Sequence, residues 1–239
     1  MLRKQKKRFW KENLKLLKNK KILIIAAHPD DEILGCGGTI FKLKKKNNIK
    51  IVFLTNGVSA RSNSENKILK RKLECEKLFK YLKLGKPTFF DLPDNQLDQL
   101  PLLKIVKMVE KIIKSFKPEI VFTHYENCLN IDHQITYRAT ITACRPIKNI
   151  SVKKIFSFEV LSSTEWGVFK KKSFQPNYYF EIDKEIKSKI KAMKFYKSEL
   201  KKYPHSRSLK AIEALAKFRG ISSGFKYAEG FVLVRGMVK

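Results

Sequence analysis

Between Lys21 and Gly38 the chain reads KILIIAAHPDDEILGCGG, an aliphatic run that stops at a histidine, a proline and three acids. His28 offers an imidazole nitrogen, and Asp31, three positions on, offers an oxygen that can converge with it where the chain turns. A third ligand has to come from elsewhere, and His133 in NIDH is the best candidate. Two histidines and one carboxylate with a position left for water form a catalytic zinc set. Asp30 then stands beside the metal without ligating it, where a carboxylate can take a proton from water. Competing structural readings exist: Asn130 can cap a helix and Asp132 suits its first turn. The glycines of GCGG lack the G-x-G-x-x-G spacing of a dinucleotide loop, and acids stand where a pyrophosphate would approach.

Three polar clusters follow strand-like runs: HPDDE, TNGVSARSN and THYENCLNIDH. In open α/β sheets ligands bind beyond the carboxyl ends of strands, so the three clusters point to one composite site. The elements that would position them alternate. Strands are expected at 21–27, 49–57, 87–93, 117–124, 153–160 and 228–236. Helices are expected at 37–47, 64–83, 99–116, 131–144, 184–201 and 207–219. On the 64–83 helix, Leu69, Leu73, Phe79 and Leu82 are taken as the apolar side. The alternation implies an α/β fold with a mostly parallel sheet flanked by helices. We expect one domain over 21–239 after a basic N-terminal extension over 1–20.

The 239 residues are 43% hydrophobic, enough for a sizeable core. ILIIAA is far too short to span a membrane, and the basic N-terminus has no apolar signal-peptide core. Cys36, Cys75, Cys128 and Cys144 form no CxxC, so a thiolate zinc cluster or redox pair is not indicated, and reduced, mostly buried thiols of a cytoplasmic protein are expected. The net charge is +30. It comes mostly from lysines spread along the chain, without a stacking pattern of aromatics, so a solvated surface is the better reading than specific nucleic-acid binding.

AAHPDDEILGCGGTI together with the later DH resembles the signature of the PIG-L/LmbE-like de-N-acetylase family. The resemblance takes in LTNG, RKLE, PDNQLD, THYENCLNIDH, FEVLSSTEW, PHSRSLKAIEALAKFRG and YAEGFVLVR, most of the chain. Within the family, the chain looks most like bacterial members acting on amino-sugar intermediates of surface polysaccharides or natural products. The resemblance implies a Rossmann-like fold, a Zn2+ site of His28, Asp31 and His133, and Asp30 as general base. It implies removal of an N-acetyl group from an amino sugar or sugar conjugate, giving acetate and a free amine. Asp132 would orient His133 or a neighbouring group. Where members of the family carry HPDH this chain has NIDH, so Asn130 replaces a histidine that donates a proton or holds an oxyanion. Asn130 can still donate a hydrogen bond. The proton is assigned to His124, with His205 as runner-up and Asp30 acting twice as the third possibility. Ser59, Arg61, Arg71, Glu74, Glu165 and Trp166 are the expected substrate contacts, with Trp166 packing on a sugar face. Arg61 and Arg71 suggest a phosphate-bearing, nucleotide-linked substrate. Alternatives are a metal-dependent hydrolase of another amide or a phosphoester, and a basic nucleic-acid-binding protein with a vestigial pocket.

Overall fold

The computed structural model describes residues 17–60, 65–167 and 173–238. The chain alternates as expected: β1 (Lys21–Ala26), α1 (Asp31–Leu43), β2 (Asn48–Thr55), α2 (Glu65–Leu82), β3 (Thr88–Leu92), α3 (Leu102–Phe116), β4 (Ile120–His124), α4 (Ile131–Ala143) and β5 (Lys154–Phe158). It continues with β6 (Tyr178–Glu181), α5 (Ile186–Met193), α6 (Leu209–Ile221) and β7 (Ala228–Gly236). One seven-stranded sheet in the order β3-β2-β1-β4-β5-β7-β6 results. The first five strands run parallel, and β7 and β6 close the edge antiparallel.

β1 is central and covered on both faces, which is why it is aliphatic throughout. Ile22, Ile24 and Ala26 pack towards α1, α2, α5 and α6, while Leu23 and Ile25 pack towards α3 and α4. The strand order reverses between β1 and β4, both parallel neighbours leaving at the same end. A crevice opens there in this class of sheet.

Four expectations need correction. The first helix starts at Asp31 rather than at residue 37, so the acids belong to its first turn. It breaks at Cys36 (φ −143°, ψ 24°), and the Glu229 carboxylate caps the second half by accepting the N–H groups of Gly38 and Thr39. Gly35 is required by close approach, since a Cβ there would lie 2.2 Å from the Phe158 ring. On α2, Phe79 and Leu82 are buried, but Leu69 and Leu73 are exposed; the inward face runs through Arg71, Cys75 and Leu78 instead. The first turns of α2 overhang the end of the sheet, where the inward neighbours are polar. The helix expected over 184–201 ends at Met193, and β6 was not anticipated at all.

The four cysteines are free and buried. No helix among the described residues is long and apolar enough to cross a membrane. Of the proposed extension, residues 1–16 lie outside the described residues. Charge is unevenly shared between inside and surface: Asp30, Asp31, Glu32, Asp94, Asp132, Glu199 and Glu229 are buried with only Arg71 and Lys189 among the described lysines and arginines, while Lys104, Lys107, Lys111 and Lys114 line the exposed side of α3.

Candidate metal centre and active site

β1 ends at Ala26, and the chain turns through His28, Pro29 and Asp30 into α1. The turn is tight because Asp31 closes it twice: its carboxylate accepts the His28 N–H at 2.8 Å, and its own N–H reaches His28 O at 3.3 Å. Asp30 pays conformationally, with φ of 130°, a region L-residues avoid at a cost of order 1–3 kcal/mol. Glu32 holds that conformation by accepting the Asp30 N–H at 3.0 Å, and Tyr196 donates to the other Glu32 oxygen at 2.7 Å. Both of these supporting groups are buried.

β4 delivers His124 beside this turn, and the loop after it delivers His133 in the first turn of α4. Asn130 caps that helix, its side chain accepting the Asp132 N–H at 2.8 Å and the His133 N–H at 3.3 Å, while its amide donates to Asn95. The capping reading of Asn130 is therefore the geometry observed.

Three donor atoms converge. His28 Nδ1 lies 3.2 Å from Asp31 Oδ2 and 3.2 Å from His133 Nε2, and His133 Nε2 lies 3.3 Å from Asp31 Oδ2. Ligand atoms about 2.0–2.1 Å from a tetrahedral zinc stand about 3.4 Å apart, so a nearly equilateral triangle of this edge fits a metal. Asp31 Oδ1 is buried and has no hydrogen-bond partner among the described residues, which also suits a carboxylate meant for an ion.

The outer side of each histidine is held as well. His28 Nε2 faces Asp132 Oδ2 at 3.1 Å and Asp94 Oδ1 at 3.2 Å. Asp132 is fixed in turn by the N–H groups of Asn95 at 2.7 Å and Leu97 at 3.0 Å. His28, Asp94 and Asp132 could by spacing hold an ion themselves. Carboxylates in that place also orient a ligating imidazole so that its inner nitrogen is bare. His133 Nδ1 faces the Cys128 sulfur at 3.1 Å and Ser163 Oγ at 3.4 Å.

Electrostatics separate the acids. Burial pushes the Asp30 carboxyl up to about 6, against the pull of the Arg207 guanidinium. Asp31 sits well below the usual range: burial would raise it, but the His133 and His124 charges outweigh burial. Burial lowers the His133 imidazole, yet the Asp31 charge outweighs it and holds the ring at about 9. His124 is pulled down to about 3 by burial and by His133. Glu32 is pushed up by burial to about 8.

The remaining expected residues are spread more widely. His124 is fully buried, its Nε2 accepting the Ala27 N–H at 2.9 Å and its ring stacked on His133 at 3.9 Å. Asp132 neighbours His28 rather than His133. Ser59 accepts the Asp94 N–H at 3.4 Å, and Asp94 in turn faces His28. Arg61 lies outside the described residues. Arg71 is 3% exposed, donating to Pro29 O at 2.9 Å, to Ser198 at 3.1 Å and to Glu199. Glu74 lies 3.7 Å from Arg71 Nε. Glu165 accepts the N–H groups of Ser162 and Ser163 in its own turn. Trp166 is 46% exposed and stands edge-on to His205, the ring centroids 5.8 Å apart.

Sequence reasoning missed Glu32, Asp94, Cys128, Tyr196, Glu199 and Arg207. Asp94 carried a usable signal, since PDNQLD also follows a strand. Arg207 and Glu199 carried none: Arg207 reaches Asp30 from 177 positions away and shares Glu199 with Arg71.

Known proteins resemble this chain in sequence and in fold. The profile of the GlcNAc-PI de-N-acetylase (PIG-L) family matches residues 23–144. The chain is 31% identical over 188 residues to the uncharacterized deacetylase YaiS of Escherichia coli, covering 76% of this chain and 92% of that protein. It is 27% identical over 232 residues to the diacetylchitobiose deacetylase of Thermococcus kodakarensis, covering 91% and 84%. The fold superposes on the N,N'-diacetylchitobiose deacetylase from Pyrococcus horikoshii with a TM-score of 0.73 at 24% identity, again over 91% of this chain and 84% of the other.

Proposed function

The chain belongs to the GlcNAc-PI de-N-acetylase (PIG-L) family, and from that premise we propose that it is a metal-dependent hydrolase that removes the N-acetyl group of an amino sugar or sugar conjugate. His28, Asp31 and His133 would hold the metal, with zinc the ion the two-histidine, one-carboxylate set suits best. When bound, the metal supplies a Lewis acid that acidifies water and polarises the amide carbonyl.

The chain's own residues do the rest. Asp30 takes the proton of the attacking water; a carboxyl raised to about 6 is ionised at neutral pH yet basic enough for the task. Its strained backbone is held by Glu32, and Asp30 stands outside the three converging ligand atoms, next to Asp31 in the chain. Arg207, 3.3 Å from Asp30, orients the carboxylate and keeps it charged. The proton then has to reach the leaving amine. His124, expected for that step, accepts an N–H on Nε2 and stays neutral far below pH 7, so it is no acid for the leaving amine there. Asp30 already holds the proton and can return it, with His205, which accepts the Arg207 N–H, as the second candidate. Asp94, Asp132 and the Asn130 cap hold the histidines in place. Trp166, exposed and edge-on to His205, offers a ring that can pack on a sugar face.

The substrate class rests on the family and on the two deacetylase relatives. A phosphate on the substrate has less support than the sequence suggested, because Arg71 is buried and engaged. Four free buried thiols favour a reducing compartment such as the cytoplasm. The observation that carries the reading is the triangle of donor atoms beneath a strained, elevated Asp30. A nucleic-acid-binding protein with a vestigial pocket has no use for that arrangement. Acetate release from a panel of N-acetyl amino-sugar donors, with zinc-loaded protein, is the test. Hydrolysis of phosphoesters alone, or no metal-dependent turnover, would overturn the proposal.

A further inference from the structure

We propose that Cys128 is the positioning residue that keeps His133 in the tautomer able to bind a metal. The inference rests on the metal reading above and concerns a side chain that the chemistry itself does not touch. For His133 Nε2 to be bare towards the triangle, Nδ1 must carry the ring hydrogen, and a buried N–H needs an acceptor. What faces Nδ1 is the Cys128 sulfur at 3.1 Å, with Ser163 Oγ further off at 3.4 Å. Cys128 is 1% exposed, so water does not substitute.

The surroundings make the sulfur an acceptor. Ser163 Oγ lies 2.9 Å from it and takes the Asn130 N–H at 3.3 Å. Thr164 Oγ1 lies 3.4 Å from it and takes the Val160 N–H at 2.8 Å. Each hydroxyl receives a backbone N–H and keeps its own hydrogen, so both are able to donate to the sulfur. The sulfur is thus placed to accept from His133 among three neighbours able to donate to it. The ring has no easy rotation out of this arrangement, being stacked on His124 at an interplanar angle of 19°. The two histidines are therefore held differently, His28 by two carboxylates and His133 by a thiol.

The test is zinc affinity by chelator competition on the wild type, Cys128→Ala, Cys128→Ser and His133→Ala. Loss of such an outer partner weakens metal binding by about 10- to 100-fold, which is the effect expected for Cys128→Ala. Cys128→Ser, which keeps an acceptor, should recover most of the loss. The visible spectrum of the cobalt-loaded protein should shift in Cys128→Ala and return towards wild type in Cys128→Ser. Melting of the metal-free forms reports whether each variant folds. Should Cys128→Ala not fold, the ring nitrogen NMR of the zinc-loaded wild type decides: hydrogen on His133 Nδ1 supports the proposal and metal on Nδ1 overturns it. Wild-type zinc affinity in Cys128→Ala, or an equal loss in Ala and Ser, overturns this inference alone. No zinc binding by the wild type, or zinc binding unaffected by His133→Ala, overturns the metal reading and this inference with it.

Discussion

Asp30 Oδ2 and Arg207 Nη1 lie 3.3 Å apart, joining the turn after the first strand to the segment before the last long helix. The contact counteracts burial, which alone would leave the Asp30 carboxyl neutral over more of the pH range. Asp30 as base must be ionised, so turnover should fall as pH falls through about 6, about tenfold per pH unit below it. Asp30→Asn should keep fold and metal while turnover drops on the order of 100- to 10,000-fold. Steady-state rates across pH, with metal content measured in parallel, check both. Near-wild-type turnover with metal bound would make Asp30 structural, and loss of metal would make it a ligand.

His133→Ala removes one of the three converging atoms. The purified variant should carry little metal after dialysis against a chelator, where the wild type keeps about one ion per chain. Elemental analysis reads the difference; stoichiometric metal in the variant would take His133 out of the ligand set.

The route of the second proton separates two histidines. His124→Ala should cost stability through the space it leaves, yet keep the basic limb of the pH–rate profile. If Asp30 returns the proton, His205→Ala also keeps that limb. Disappearance of the limb in His205→Ala makes His205 the acid, and its disappearance in His124→Ala restores the role first expected for that residue.

Glu229 and Lys189 are both 4% exposed and 2.6 Å apart, and Glu229 also caps the broken α1. Glu229→Ala leaves a buried ammonium with Leu34 O as its remaining hydrogen-bond acceptor among the described residues. Breaking such a buried pair costs about 3–5 kcal/mol, readable in denaturant unfolding. A loss under about 1 kcal/mol, the scale of an exposed pair, would show that water reaches the lysine.

The sheet and the converging turn were legible because their signals are local: an aliphatic run for a doubly covered strand, and ligand types at strand ends. The antiparallel edge was not, since β6 is four residues of Tyr, Phe and Glu without a clear apolar alternation. The start of α1 was misread because acids ahead of glycines look like a loop, and the cap of its second half comes from Glu229, 190 positions beyond Thr39. Arg71, expected to contact substrate, is buried and engaged within the protein instead. Its partners Ser198 and Glu199 are distant in sequence, and a buried arginine has the same pattern as an exposed one until they are known.

The segregation of charge has a kinetic side. Seven carboxylates lie inside a chain whose net charge is +30, so a divalent cation on its way to the triangle must cross a positive field before it meets a negative one. A metal held as proposed would be favoured at equilibrium, while its approach would not. Metal uptake by the stripped protein should therefore be slow at low ionic strength and quicken as salt shortens the reach of the lysines, the reverse of a steered association. Stopped-flow uptake at rising sodium chloride reads this directly, and a rate that falls with salt would mean that the entrance is acidic.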